Sequence, residues 1–135
     1  MKTSCPDGWK KVGRVCYMYV DNLKTWDNAQ KYCKRRGGFL IEPDSDQKIS
    51  SLKEHVLDAI YASSVWAGGK FEKTGGGWKG IWAGTNRDMV ESSDNTFAFD
   101  SNYRELCTVM WRSSASLWDA ECDGLSPFIC EQKAK

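Results

Sequence analysis

A chain of 135 residues, 41% hydrophobic and 13% aromatic with seven Trp, has ample material for a packed core and is short enough to expect one domain over residues 1–135. Its 19 Lys and Arg stand against 18 Asp and Glu, so a formal charge of +1 gives no overall signal for nucleic acid or an acidic membrane surface. Apolar runs are short, the one around Ile60 to Gly68 being broken by Ser63 and Ser64, and none approaches the roughly 20 residues a spanning helix needs, so no membrane insertion is expected.

Six cysteines occur, Cys5, Cys16, Cys33, Cys107, Cys122 and Cys130, with no C-x-x-C pair and no histidine cluster to suggest zinc. An even count at wide spacing in a small chain points to three disulfides formed in an oxidising compartment, and hence to a secreted protein. Spacing alone leaves their pairing open. Because Cys5 leaves no room for a signal peptide, the chain is expected to be the mature part.

In chain order, residues 5–20 form a hairpin expectation: Pro6-Asp7-Gly8 supplies turn chemistry, and the apolar run Val15 to Val20 follows Gly13-Arg14. A first helix follows Thr25 as N-cap, with Asp27 near its positive end and Lys34, Arg35 and Arg36 before Gly37 at its negative end. A second helix is expected to start at Asp44 as cap with Gln47 reaching back, its apolar stripe being Ile49, Leu52, Val56 and Ile60. From Val65 to Tyr103 the pattern turns to Gly, Asn, Asp and Ser interrupted by aromatics, which reads as a long loop of the functional kind. Strands return at Leu106 to Trp111, Ser116 to Cys122 and Pro127 to Glu131, and their pairing would set Cys107 opposite Cys122.

Taken together, Cys5-Pro6-Asp7-Gly8-Trp9, Gly13-Arg14-Val15-Cys16-Tyr17, Trp26, Ala29, Cys33, Gly37-Gly38, Val65-Trp66-Ala67-Gly68-Gly69 and Phe128-Ile129-Cys130-Glu131 resemble the C-type lectin-like domain family over essentially the whole chain. Phe39-Leu40 followed by Glu42-Pro43-Asp44 is similar to small bivalve members. The resemblance implies an α+β C-type lectin-like fold in its long form, with an N-terminal hairpin, two helices flanking small antiparallel sheets and a long binding loop. It also implies the pairs Cys5–Cys16, Cys33–Cys130 and Cys107–Cys122. A role in invertebrate innate immunity would follow from the bivalve likeness.

Sugar-binding members carry a Glu-Pro-Asn or Gln-Pro-Asp tripeptide in the long loop that grips calcium and sugar hydroxyls together, and the only prolines here, Pro6, Pro43 and Pro127, lie elsewhere. Glu42-Pro43-Asp44 has similar letters but leads into the second helix, where Asp44 is expected to cap. Of the family's other ligands, Glu105 and Asp119 can be matched, so weak or no calcium dependence is expected and no cofactor is required. If calcium is held, Glu105 and Asp119 are its ligands. The tripeptide's place falls on Asn86-Arg87-Asp88 when counted from Trp82-Ala83-Gly84, and on Phe97-Ala98-Phe99-Asp100 when counted back from Cys107. In the first alignment Arg87 and Asp88 bond a sugar directly, and Trp82 or Trp78 offers a ring-stacking surface.

His55, the one histidine, has no nucleophile beside it, and no nucleophile–base pair can be assembled elsewhere, so catalysis is not expected. The function expected is non-catalytic recognition of a glycan through Asn86, Arg87, Asp88, Glu105, Asp119 and Trp82, with a calcium-independent protein-binding module of receptor or toxin type as the alternative. A lectin of this size gains avidity as a homo- or heterodimer.

Overall fold

The computed structural model describes residues 3–89 and 95–135. Lys10–Val12 (β1) and Val15–Lys24 (β2) form the expected hairpin, turning through Gly13. Trp26–Arg35 (α1) follows, and Thr25 caps it by accepting from the Asn28 N–H at 3.4 Å. Its apolar face, Trp26, Ala29 and Cys33, is buried, and Gly38 N–H closes the far end on the Cys33 carbonyl. Phe39–Leu40 (β3) leads to Asp46–His55 (α2) and a 3-10 turn at Leu57–Ala59.

The cap of α2 differs from the expectation. Ser45 accepts from the Lys48 N–H at 3.2 Å, while the Asp44 carboxylate is drawn away to Arg87 and Lys48. A hydroxyl one residue later does the capping because two cations compete for the carboxylate.

Ser64–Thr74 (β4) and Gly77–Trp82 (β5) pair antiparallel from Gly69↔Trp82 to Thr74↔Gly77. Much of the stretch expected as loop is therefore a hairpin, closed by the two residues Gly75-Gly76 and followed by Gly77 at φ 126°, a conformation that favours glycine. Arg87–Asp88 (β6) adds a short edge beside Ile81 and Trp82. Glu105–Trp111 (β7), Leu117–Ala120 (β8) and Ser126–Lys133 (β9) complete the sheet. The strand order is β1-β2-β9-β4-β5-β6, with β3 on β9 and β7 between β4 and β8.

Strand alternation builds two cores. On β9, Phe128 and Cys130 point to a cluster with Trp26, Ala29, Cys33, Leu40 and Trp66 under α1. Ile129 points the other way, to Ile41, Leu52, Leu57, Val65, Met110 and Leu117 beneath α2. The disulfides are Cys5–Cys16, Cys33–Cys130 and Cys107–Cys122, the pairs the resemblance implies. In the β7–β8 register Cys107 faces Ala120 and not Cys122, so that bridge reaches two residues past the strand pairing.

Candidate ligand-binding cleft

The β4–β5 hairpin, β6 and the segment after residue 95 surround an open cleft of about 430 Å³ lined by Phe71, Trp78, Lys79, Gly80, Asp88, Met89, Phe97 and Phe99. Its floor is an aromatic cluster. Phe71 meets Phe97 and Phe99 edge-on at centroid distances of 4.7 and 4.9 Å, and Trp78 stacks on Phe99 at 5.6 Å with 20° between the planes. Gly80 makes room for this cluster, since a Cβ there would lie 2.5 Å from the Phe71 ring and 3.1 Å from Met89 Sδ.

The two alternative positions for the missing tripeptide converge. Asp88 from one position and Phe97 and Phe99 from the other line the same cleft, although the sequence treats the two positions as rivals. Asp88 is exposed at its rim on the β6 edge, and Lys79 is exposed beside it. Asn86 sits in the turn from β5 to β6 at φ 60°, a left-handed position Asn tolerates, and its N–H reaches the Trp82 carbonyl at 2.7 Å.

Arg87 is directed away from the cleft. Its guanidinium pairs with Asp44, its Nε donates to Thr85 Oγ1 at 3.1 Å, and Glu42 Oε1 lies 3.8 Å away. Beneath it Glu42, fully buried, accepts from Gly84 N–H at 2.7 Å, Thr85 N–H at 3.2 Å and the Thr85 hydroxyl at 2.7 Å. Gly84 is required there, because a Cβ would lie 2.3 Å from Phe39 and 2.7 Å from the Glu42 carboxylate. Arg87 thus braces β6 against the body. Glu42-Pro43-Asp44 anchors this turn, a role the α2 cap reading did not foresee.

Trp82 is 4% exposed and packs in the core beneath α2, so it has no free face for a sugar ring, whereas the half-buried Trp78 borders the cleft. Asp119 uses both carboxylate oxygens on the backbone, accepting from Ala98 N–H at 3.0 Å and Phe99 N–H at 2.7 Å. Those bonds hold Phe99 at φ 50°, a strained position for an aromatic residue.

The family's calcium chemistry does not fit this donor set. Glu105 already faces a cation, Lys70 Nζ at 3.1 Å. Cys107 pairs with Ala120 and Thr108 with Asp119, so Glu105 and Asp119 project from opposite faces of the β7–β8 ribbon. Among the described residues no three His, Cys, Asp or Glu side chains converge as a metal site.

Burial raises the Glu42 carboxyl above the ordinary carboxylate value, opposed by its bonds to Thr85 and Gly84. Burial also raises Glu131, opposed by Lys48, whose Nζ is 2.7 Å from both oxygens. Phe71, Lys79, Met89 and Glu42 were not picked out as site residues from the sequence. The Gly75-Gly76 turn, which folds β5 back on β4, was the available signal for the first two.

Two helices, a sheet fed by a long central hairpin and three disulfides are the arrangement that the sequence resemblance implies. The family model "Lectin C-type domain" matches residues 22–132, and the chain belongs to that family. It is 33% identical to "Snaclec echicetin subunit alpha" of Echis carinatus over 94% of this chain and 93% of that one. Identity to "C-type lectin galactose-binding isoform" of Pseudechis australis is 30%, over 96% of this chain and 84% of that one. A calcium-independent type II antifreeze protein superposes with a TM-score of 0.76 at 25% identity, covering 100% of this chain and 98% of the other. The two sequence relatives are snake proteins, so they lend nothing to the bivalve likeness.

Proposed function

We propose that the chain is a secreted, calcium-independent lectin, acting as one domain over residues 1–135, whose cleft takes a sugar residue against the exposed part of Trp78. The observation that carries this reading is the pairing of an aromatic floor with Asp88 and Lys79 at one rim. A pyranose offers an apolar face and a ring of hydroxyls; the aromatic surface meets the first, and an acceptor and a donor at the rim meet the second. Of the residues expected to bind, Asp88 serves as a direct contact and Asn86 shapes its turn. Arg87 and Asp119 act by positioning, and Glu105 and Trp82 lie outside the contact set. A relative described as galactose-binding supports the ligand class. The three disulfides support an extracellular setting. A part in invertebrate innate immunity rests on the Phe39 to Asp44 likeness alone.

The test is calorimetry on the strongest glycan-array hit. Trp78→Ala and Asp88→Asn are each expected to weaken binding about tenfold or more, with circular dichroism unchanged; a variant pair that binds like the parent would remove the cleft from consideration.

A protein-binding function is the second reading, and a separate observation favours it. Leu23 and Leu125, 66% and 64% exposed, flank a groove of about 690 Å³ on another part of the molecule, the kind of apolar surface that marks a protein contact or a dimer interface. A homo- or heterodimer through this groove would show as a doubled mass by sedimentation, lost in Leu23→Asp.

A further inference from the structure

The net charge of +1 conceals a segregation of charge along the fold. Residues 3–36 and 131–135 hold ten Lys and Arg against four Asp and Glu, whereas residues 37–130 hold eight against fourteen. The first group forms one region, because β1, β2 and β9 are consecutive in the sheet and α1 ends on β9, where Gln132 Nε2 donates to the Arg36 carbonyl at 3.1 Å.

The positive charge concentrates at the C-terminal end of α1. Lys31, Lys34 and Arg35 share one exposed helix face at i, i+3 and i+4, and Arg36 follows, its guanidinium 3.5 Å from the centre of the Tyr32 ring. Lys11 joins them from another element. In the register Lys11↔Cys16↔Gln132 it projects from the same sheet face as Gln132, which contacts α1. Among the described residues none of these five cations lies within 4 Å of a carboxylate, although Lys48, Lys70 and Arg87 elsewhere are paired.

Stabilisation of the fold does not account for the arrangement. The helix dipole favours Lys34 and Arg35 in the last turn. Lys31 stands a turn earlier and opposes Arg35 at i+4, and Lys11 is not on the helix; like charges so placed weaken a helix.

We propose that this face, formed by Lys11, Lys31, Lys34, Arg35 and Arg36, is a second binding surface for a sulfated or otherwise polyanionic polysaccharide, separate from the aromatic cleft. A linear polyanion suits a group of exposed cations better than a lipid surface does, because the large exposed hydrophobic side chains, Leu23, Tyr61, Trp118 and Leu125, are not part of this face and nothing on it would insert. The Arg forks add paired donors for sulfate oxygens.

The test immobilises dextran sulfate beside unsulfated dextran and measures binding of the whole chain. Binding to the sulfated polymer alone is expected, falling roughly tenfold or more between about 50 and 200 mM salt as counterions are released. The triple variant K31Q/K34Q/R35Q should lose most of that binding while keeping its circular dichroism, and Trp78→Ala should bind dextran sulfate like the parent. Retained binding in the triple variant, equal binding to unsulfated dextran, or tighter binding to phosphatidylserine–phosphatidylcholine vesicles would each overturn the proposal.

Discussion

Glu42 joins three parts of the chain through its carboxylate and its backbone N–H. Its oxygens hold the Gly84–Thr85 turn, and its own N–H donates to Glu131 Oε1 at 2.6 Å. Glu131 is in turn neutralised by Lys48, whose side chain is 16% exposed. Removing the cation strands a buried charge, so Lys48→Met should destabilise the fold by roughly 3 kcal/mol in urea denaturation, and a loss below about 1 kcal/mol would mean that Glu131 had simply taken up a proton. Glu42 and Glu131 both titrate higher in the folded chain than in the unfolded one, so the folded state binds more protons in that window. Stability from these groups is therefore fully present below the unfolded carboxylate value, about 4.3, and is lost as the pH rises from there through their folded values. The advantage of the parent over Glu42→Gln should accordingly shrink with rising pH across that window; an advantage that grows with pH would show the shift to be downward.

The short segments around the cleft owe their shape to polar side chains on neighbouring elements. Asp119 on β8 fixes the backbone of residues 98–99, and Arg87 fixes β6 to Asp44. Asp119→Ala should leave the circular dichroism intact, cost about 1–3 kcal/mol and release Phe99 from its strained conformation, so that affinity for the glycan falls more than stability does. Unchanged affinity in that variant would show that Phe99 holds its place by packing alone. The boundaries of α1 were readable because Thr25, Asp27, Lys34 to Arg36 and the buried face all agree. The α2 cap was not, because Asp44 and Ser45 are both good caps and the choice depends on Arg87, 43 residues away. The β4–β5 hairpin was hidden by weighing the Gly-rich composition above the two-residue turn within it. Trp82 and Trp78 looked equivalent, since both leave β5 on one sheet face and only distance from the turn separates them, Trp78 lying opposite Lys73 near the tip and Trp82 opposite Gly69 at the base, where the core takes it.

Over the whole molecule the disulfides divide the work unequally. Cys33–Cys130 spans 97 residues and ties α1 to β9, while Cys5–Cys16 spans 11. In the chain-entropy account these contribute about 5 and about 3 kcal/mol, so Cys33→Ala/Cys130→Ala should lower Tm far more than Cys5→Ala/Cys16→Ala; equal losses would point to strain or residual structure in the reduced chain. The family was legible because the cysteine, Trp and Gly positions together carry it. The binding site was less legible, because the residues that line it come from four segments and the two carboxylates matched to the family's metal ligands, Glu105 and Asp119, are engaged by Lys70 and by backbone N–H groups. The central claim, glycan recognition without calcium, is tested most directly by probing a glycan array with the parent and Trp78→Ala, each in calcium and in EDTA. The structure predicts the same hits for the parent in both buffers and their loss in Trp78→Ala. Hits that vanish in EDTA and return with calcium, or an array with no hits under either condition, would contradict it.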